Sequence, residues 1–454
     1  MLDPKVFKAY DVRGIYPSEL DEEGAYAIGR AFVEQFEPKR IAVGHDMRVS
    51  SPSMTEAVIR GASEGGADVL ELGLVGTEMV YFAVGELDLD GGIAVTASHN
   101  PKDYTGMKIV RSGALPVGGE SGLLDIRDRA LSLSDTTRGQ TPGHVTPGHV
   151  QPYDIWEQFV ERVLSFIDPE AIKPLKVVAD AANGMAGVML PPVLARLPRV
   201  ETVRYYFEPD GTFPNHEPNP LLPENREFIV HKTLEEQADF GVAFDGDADR
   251  CFFVDDSGEF VPGDFVTALF AELVLEKEPG AKIIYDVRAS WAVPEKIERA
   301  GGIPLVNRVG HAYIKHRMRE EHAAFGGEVS GHYYFRDFSQ ADSGVVPFLL
   351  MLELLSKRGQ KLSEILRPFR DTYFITGELN TPVPDVTAKL QELEEHFGKE
   401  GRVSHLDGVS IDAEDWHMNV RPSNTEPLLR LNLEARSKEL MERKRDEVLG
   451  VIQS

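Results

Sequence analysis

Asp245, Asp247 and Asp249 stand at alternate positions in Asp245-Gly246-Asp247-Ala248-Asp249-Arg250, and Arg250 closes the run. Three carboxylates this close repel one another unless a positive charge lies among them. A hard divalent cation with oxygen ligands meets that need, Mg2+ first among them. A solvated acidic turn is the plain alternative, and an EF-hand is another, because aspartates at loop positions one, three and five fit it. Against the EF-hand, Arg250 stands where that loop needs glycine and Asp256 where it needs the bidentate glutamate. The flanks, Phe240-Gly241-Val242-Ala243-Phe244 and Cys251-Phe252-Phe253-Val254, read as buried strands rather than helices.

Ser98 is the second reactive residue. An apolar run over 91–95 passes into Thr96-Ala97-Ser98-His99-Asn100-Pro101, and Pro101 prevents the strand from continuing in the sheet. Ser98 is thus expected on an exposed loop at a strand's C-terminal end, where open α/β sheets bind ligands. A serine there can act as a nucleophile or a phosphate carrier. Lys108, in a second strand over 106–110, can neutralise phosphate charge, with a snorkelling surface lysine as the alternative. Arg13, at the Gly turn that ends a short strand over 7–14, can meet a phosphate bidentately or form a surface salt bridge.

Two further stretches carry chemistry. In Gly326-Gly327-Glu328-Val329-Ser330-Gly331-His332, the residues Glu328, Ser330 and His332 alternate, so an extended segment would put them on one face. That set suits sugar hydroxyls, and His332 can serve as acid or base; a polar face on an edge strand is the alternative. In Val420-Arg421-Pro422-Ser423-Asn424-Thr425-Glu426-Pro427, donors crowd a loop held between two prolines, which looks like an anion cradle.

The elements around these residues read as an α/β chain. A strand over 41–46, a helix over 51–64 with Ser51 as N-cap and Pro52 at its first position, and a strand over 67–72 make a βαβ unit. Strands ending in Asp46, Asp180 and Asp286 each precede a helix, which suggests a threefold internal repeat. Residues 132–150 are Ser/Thr/Gly/Pro-rich and carry a duplication with His144 and His149, which reads as a linker rather than a metal site. After about residue 369 the pattern changes to strand, helix, three short strands and a charged C-terminal helix, a separate α+β domain.

At 454 residues the chain exceeds one core, and the expected domains are 1–150, 151–256, 257–369 and 370–454. Its 42% apolar and 27% charged content is that of a globular protein, and its net charge of -26 argues against nucleic acid and anionic membranes as partners. Any phosphorylated substrate then needs a local cationic pocket. The single cysteine, Cys251, excludes an intramolecular disulfide, suits the cytoplasm, and is expected to be a buried thiol. Neither a signal peptide nor a bilayer-spanning run is expected.

The four loops, in this order, resemble the α-D-phosphohexomutase superfamily over the whole chain. The matching motifs are Thr96-Ala97-Ser98-His99-Asn100-Pro101, Asp245-Gly246-Asp247-Ala248-Asp249-Arg250, Gly327-Glu328-Val329-Ser330-Gly331-His332 and Arg421-Pro422-Ser423-Asn424-Thr425. The resemblance implies three related α/β domains and a smaller C-terminal α+β domain around a central cleft, with hinge motion near residue 369. It implies that Ser98 carries the phosphoryl group and that Asp245, Asp247 and Asp249 hold Mg2+ with a phosphate oxygen on Ser98. Arg13, Lys108 and Arg250 would surround the transferring phosphate, and His332 or Lys108 would be the base. Glu328 and Ser330 would grip sugar hydroxyls, with His332, His311 and Arg288 lining the substrate side; Arg288 stands where relatives often have lysine. Arg421, Ser423, Asn424 and Thr425 would bind the non-reacting phosphate. The implied reaction interconverts hexose 1-phosphate and hexose 6-phosphate through a hexose 1,6-bisphosphate. The loop with Val329 and the run Asp210-Gly211-Thr212-Phe213-Pro214-Asn215-His216 resemble those of phosphomannomutase/phosphoglucomutases, which implies mannose and glucose phosphates over glucosamine phosphate. A non-catalytic sugar-phosphate-binding protein is the alternative from another class.

Overall fold

Continuous apolar runs form the inner strands, because helices cover both faces of a parallel sheet. The computed structural model describes residues 2–136, 146–423 and 428–454. These fall into two units, Met1–Val261 with Gly331–Lys361, and Pro262–Ser330 with Leu362–Ser454.

In the first unit, the chain begins with β1 (Val12–Ile15), α1 (Glu22–Phe36), β2 (Arg40–His45), α2 (Ser51–Glu64), β3 (Asp68–Leu74) and α3 (Thr77–Glu86). It continues through β4 (Gly91–Val95), β5 (Tyr104–Arg111), β6 (Leu115–Pro116), α4 (Leu123–Thr136) and β7 (Val150–Pro152). The sheet order is β1-β5-β4-β2-β3-β7, with β6 on β5. β2 runs parallel to β3 and β4, so the expected βαβ unit is present. Asp21 caps α1 by accepting from Gly24 N, and α1 buries Ala25, Ile28 and Phe32 on one stripe. Helices α1 and α2 lie in close contact: a Cβ on Gly61 would come 2.1 Å from the Tyr26 carbonyl oxygen.

Three local expectations change here. Ser51 is the first residue of α2 rather than its cap, because its hydroxyl donates to Asp46 Oδ1 at 2.5 Å. The first strand is only Val12–Ile15, since Pro4–Val6 form a 3-10 turn capped by Asp3, so Arg13 lies within a strand opposite Gly106 rather than at a turn. The linker is shorter than expected: α4 runs to Thr136, and β7 joins the sheet beside β3. His144 lies outside the described residues.

The next segment holds α5 (Trp156–Leu164), β8 (Leu175–Asp180), α6 (Ala186–Leu194), β9 (Val200–Tyr205) and α7 (Pro223–Glu235), then β10 (Phe240–Phe244), β11 (Cys251–Asp255) and β12 (Phe260–Val261). The order is β12-β11-β10-β8-β9, with β10 parallel to β8 and antiparallel to β11. Phe244 pairs with Cys251, so the acidic run is the hairpin connection, and the Cys251 thiol is buried as expected.

His216 Nε2 lies 2.9 Å from Asp180 Oδ2, at the end of β8. Burial pushes the imidazole towards neutrality, but the Asp180 hydrogen bond and charge outweigh it and raise the pKa above the usual histidine value. With a raised folded-state pKa, the stabilisation is full below the unfolded histidine pKa and is lost as pH rises through the folded one. His216→Gln is expected to cost about 1–2 kcal/mol at pH 6 and less at pH 9. Urea midpoints at both pH values measure this, and equal losses would contradict a charged pair.

The third segment is shared by the units. The second unit takes α8 (Gly263–Lys277), β13 (Lys282–Asp286), α9 (Ala292–Arg299), β14 (Ile303–Asn307), α10 (His311–Glu321) and β15 (Phe325–Gly327), with β13 parallel to β14 and β15. The first unit takes β16 (Tyr333–Phe335), β17 (Ala341–Asp342) and α11 (Val345–Arg358), with β16 antiparallel to β17. Phe338 stacks on Phe82 and meets Phe159 and Phe166 edge-on, which fastens this segment within the first unit. The expected extended face of Glu328, Ser330 and His332 is absent. These residues form a turn after β15, with Gly331 at φ 83°, so the two-residue alternation does not apply.

The last segment contains α12 (Leu362–Arg370), β18 (Phe374–Pro382), α13 (Val386–Phe397), β19 (Arg402–Ser404), β20 (Val409–Asp412), β21 (Trp416–Pro422), β22 (Leu428–Ala435) and α14 (Lys438–Gln453). The sheet is antiparallel in the order β18-β22-β21-β20-β19. Among the described residues four strands follow α13 where three are expected, because the three-residue β19 pairs with β20. The architecture is three mixed α/β domains and an antiparallel C-terminal domain, as the resemblance implies. No helix among the described residues is long and apolar enough to cross a membrane.

Candidate active site

The first unit brings Ser98, the three aspartates, Lys108 and Arg250 together. Ser98 follows β4 at φ 50°, a left-handed conformation that costs a non-glycine residue about 1–2 kcal/mol. Its amide donates to Thr96 Oγ1 at 2.9 Å, and its hydroxyl donates to Asp245 Oδ2 at 2.9 Å and lies 3.3 Å from His99 Nδ1. The residue is only 2% exposed, which corrects the expectation of an exposed loop. The acidic loop covers it: a Cβ on Gly246 would fall 2.3 Å from the Ser98 carbonyl oxygen. Burial, together with Arg250 and Arg13, holds the His99 imidazole well below its usual pKa.

Asp245, Asp247 and Asp249 are buried, each with an oxygen within 4.8 Å of the others. Asp245 Oδ2 also accepts Arg250 Nε at 2.9 Å and Nη2 at 2.8 Å. Asp247 Oδ2 accepts Thr77 Oγ1 at 2.6 Å and Lys108 Nζ at 2.8 Å, while its Oδ1 has no hydrogen-bond partner among the described residues. Lys108 Nζ lies 2.5 Å from Asp249 Oδ2, so this lysine is buried between carboxylates rather than snorkelling. Burial raises Asp245 to about 7 against the pull of Arg250, and Asp249 and Asp247 add to the rise. Burial disfavours the Lys108 ammonium, but Asp247 and Asp249 outweigh it and hold the lysine charged. An oxygen-only set with an orphaned buried carboxylate oxygen fits a hard divalent cation. Asp249, His332 and Asp342 form a second close group, with His332 Nε2 3.8 Å from Asp249 Oδ1.

Arg13 approaches the same loop from β1. Its guanidinium donates to Asn100 Oδ1 at 2.5 Å and pairs with Asp11 at 2.7 Å. Thr77 and His99 are contacts that the sequence reading misses, since neither a lone threonine nor a motif histidine announces its partner.

A cationic cluster occupies the second unit. Arg288 is held bidentately by Asp286, at 2.9 Å to each oxygen, and lies 3.9 Å from the buried Glu328 carboxylate. Glu328 Oε1 in turn accepts from Gly310 N at 3.0 Å, beside His311 at the start of α10. Burial works against the Arg288 charge, but Asp286 and then Glu328 and Glu378 raise its pKa. Arg421 and Arg430 face each other across β21 and β22. One carboxylate, Glu378, accepts from Arg430 at 2.8 Å, Arg421 at 3.0 Å and Arg288 at 3.4 Å. Arg430 also reaches Ser423 Oγ at 3.4 Å. Burial and Arg288 both disfavour charge on Arg421, and Glu378 opposes them. Ser330 lies in the turn after β15. Asn424 and Thr425 lie outside the described residues. Glu378 and Arg430 escape the sequence reading because lone charged residues on strands carry no pattern.

Four family models match in chain order: the α/β/α domains I, II and III of phosphoglucomutase/phosphomannomutase over residues 4–132, 157–258 and 262–373, and its C-terminal domain over 378–451. A phosphomannomutase of Salmonella montevideo is 43% identical over 459 residues, covering 99% of each chain. The phosphohexose mutases of Xanthomonas campestris pv. campestris are 43% identical over 448 residues, covering 98% of each. A crystal structure of a phosphoglucomutase/phosphomannomutase family protein from Burkholderia thailandensis superposes with a TM-score of 0.89 at 32% identity, covering 100% of this chain and 98% of that one. The chain belongs to the phosphoglucomutase/phosphomannomutase family of the α-D-phosphohexomutase superfamily. Within it the chain is an enzyme, a phosphohexose mutase and so an isomerase.

Proposed function

We propose that the enzyme interconverts the 1- and 6-phosphates of mannose and glucose through a phosphoserine at Ser98 and a hexose 1,6-bisphosphate. The observation that carries this reading is the 2.9 Å hydrogen bond from Ser98 Oγ to Asp245 Oδ2, which joins a carrier hydroxyl to a buried acidic triad. Asp245, Asp247, Asp249 and an oxygen of the Ser98 phosphate would hold Mg2+, whose charge, when bound, would stabilise the transferring phosphoryl oxygens. Arg13, Lys108 and Arg250 supply the protein's own positive charge there.

His332 takes the proton of the attacking sugar hydroxyl. Lys108 suits that role less, because Asp247 and Asp249 keep its ammonium charged. The sugar oxygen bonds to phosphorus as the bond from phosphorus to Ser98 Oγ breaks. The bisphosphate then turns around, and Ser98 Oγ takes its other phosphate while the proton returns to the sugar oxygen. Glu328 and Ser330 grip sugar hydroxyls, with His311 and Arg288 on the substrate side. Arg421, Ser423, Asn424 and Thr425 hold the non-reacting phosphate, and Glu378 spreads Arg421 and Arg430 for it. Arg421→Ala is accordingly expected to raise KM for hexose phosphate about 10–100-fold while kcat moves less than about threefold. Initial rates check this, and a fall in kcat at constant KM would count against the role.

The domains in this reading span 1–150, 151–256, 257–369 and 370–454. The buried lone thiol of Cys251 suits a reducing, cytoplasmic setting. Relatives that are phosphomannomutases at 43% identity support mannose over glucosamine phosphate. The test is turnover of mannose 1-phosphate, glucose 1-phosphate and glucosamine 1-phosphate with Mg2+ and a trace of hexose 1,6-bisphosphate. Comparable rates on the first two support the reading. Dominance of glucosamine 1-phosphate would overturn the substrate and keep the chemistry, and no turnover of any would overturn both.

A further inference from the structure

Two strand ends of this chain share one local device. Asp46 accepts the Arg48 amide at 3.0 Å and lies 3.3 Å from the Arg48 Nε; Asp286 accepts the Arg288 amide at 2.8 Å and pairs with the Arg288 guanidinium. In the intervening domain Asp180 accepts the Ala182 amide at 2.8 Å, and the cation is His216. The expected repeat is thus visible as an aspartate turn that carries a cation.

Arg48 differs from Arg288 in what its guanidinium meets. Its side chain is fully buried, and its two terminal nitrogens donate to four backbone carbonyls: Ser98 at 2.8 Å, Asn100 at 2.6 Å, Pro101 at 2.8 Å and Tyr104 at 3.1 Å. Three of the four belong to the loop that carries Ser98, and the fourth, Tyr104, opens β5 at the loop's far end. A lysine has one nitrogen and cannot span that set, whereas the planar guanidinium fork can. The Ser98 backbone sits at φ 50°, so something must hold the loop against the cost of that conformation. Arg48 grips the carbonyl of Ser98 itself and that of Asn100, whose side chain anchors Arg13. The loop over 210–213 closes behind it: a Cβ on Gly211 would fall 2.6 Å from Arg48 Cα, and the Phe213 ring lies 5.2 Å from the guanidinium.

We propose that Arg48 is a positioning residue that fixes Ser98 Oγ and Arg13 for phosphoryl transfer. The proposal rests on Ser98 as the carrier. An error of about 1 Å in a reacting group costs about 10²-fold in rate. Arg48→Lys is therefore expected to lower kcat about 100-fold with KM for hexose phosphate within about twofold, since the buried guanidinium is taken up by backbone carbonyls. Guanidinium added to Arg48→Ala is expected to recover at least about tenfold of kcat, a response that general weakening of the fold would not give. A folded Arg48→Lys with parental kcat, or one that raises KM alone, overturns the proposal. If neither variant folds, Gly211→Ala decides: a fall in kcat of about tenfold at constant KM supports the proposal, and parental kcat overturns it. Should Ser98→Ala retain turnover, the carrier reading fails instead; inactive Ser98→Ala beside fully active Arg48→Lys defeats the positioning role alone.

Discussion

Ser98→Ala is expected to lose turnover of mannose 1-phosphate by about 10⁴-fold or more, even with saturating hexose 1,6-bisphosphate. In the proposed reaction every phosphoryl group passes through Ser98 Oγ. Thr96 Oγ1 is engaged with the Ser98 amide and Asp247, and so does not substitute. Substrate affinity should survive, because the phosphate ligands proposed in the second unit are untouched. Equilibrium binding of a hexose monophosphate separates the two effects. Undiminished turnover by the variant would sink the phosphoserine mechanism.

Removal of the divalent cation is expected to have the next largest effect. Chelation should lower kcat about 10³-fold, with recovery on Mg2+ and poorer recovery on Ca2+, whose larger, looser shell fits a compact site less well. Asp247→Asn should lower kcat about 10²–10³-fold. The reason lies in the buried triad: Asp247 Oδ2 is taken by Thr77 and Lys108, while Oδ1 has no hydrogen-bond partner among the described residues. An amide there removes a negative ligand and leaves Lys108 with one carboxylate fewer. Independently of catalysis, Mg2+ should raise the melting temperature of the parent and do so less for Asp247→Asn, since a ligand bound only to the native state stabilises it. Equal shifts for both proteins, or activity indifferent to chelation, would remove the metal from the account.

Local patterns made the acidic hairpin readable: two apolar runs flank six loop residues, and no other element type accommodates them. The position of Ser98 after a strand followed from Pro101 in the same way. Its burial did not, because Gly246 and Arg48, which close over it, are far away in sequence and carry no periodic signal. The turn at 328–332 misled for the opposite reason. Alternating polar residues mimic a strand, and the turn over 329–331, with Gly331 at positive φ, breaks it. The extra strand β19 is three residues long and largely polar, below what patterning detects. Arg48 was legible only in hindsight, through the matching Asp-x-Arg spacing at Asp46 and Asp286. Glu378, Arg421 and Arg430 meet because of strand register, which pairs residues that sequence distance separates.

The central claim is that one serine carries the phosphoryl group between the two ends of a hexose. It is tested most directly by incubating the enzyme with ³²P-labelled hexose 1,6-bisphosphate, removing free label, and mapping the labelled peptide. The account predicts label on Ser98 that chases into hexose phosphate when unlabelled mannose 1-phosphate is added. Full turnover without label on Ser98, or label that does not chase, would contradict it.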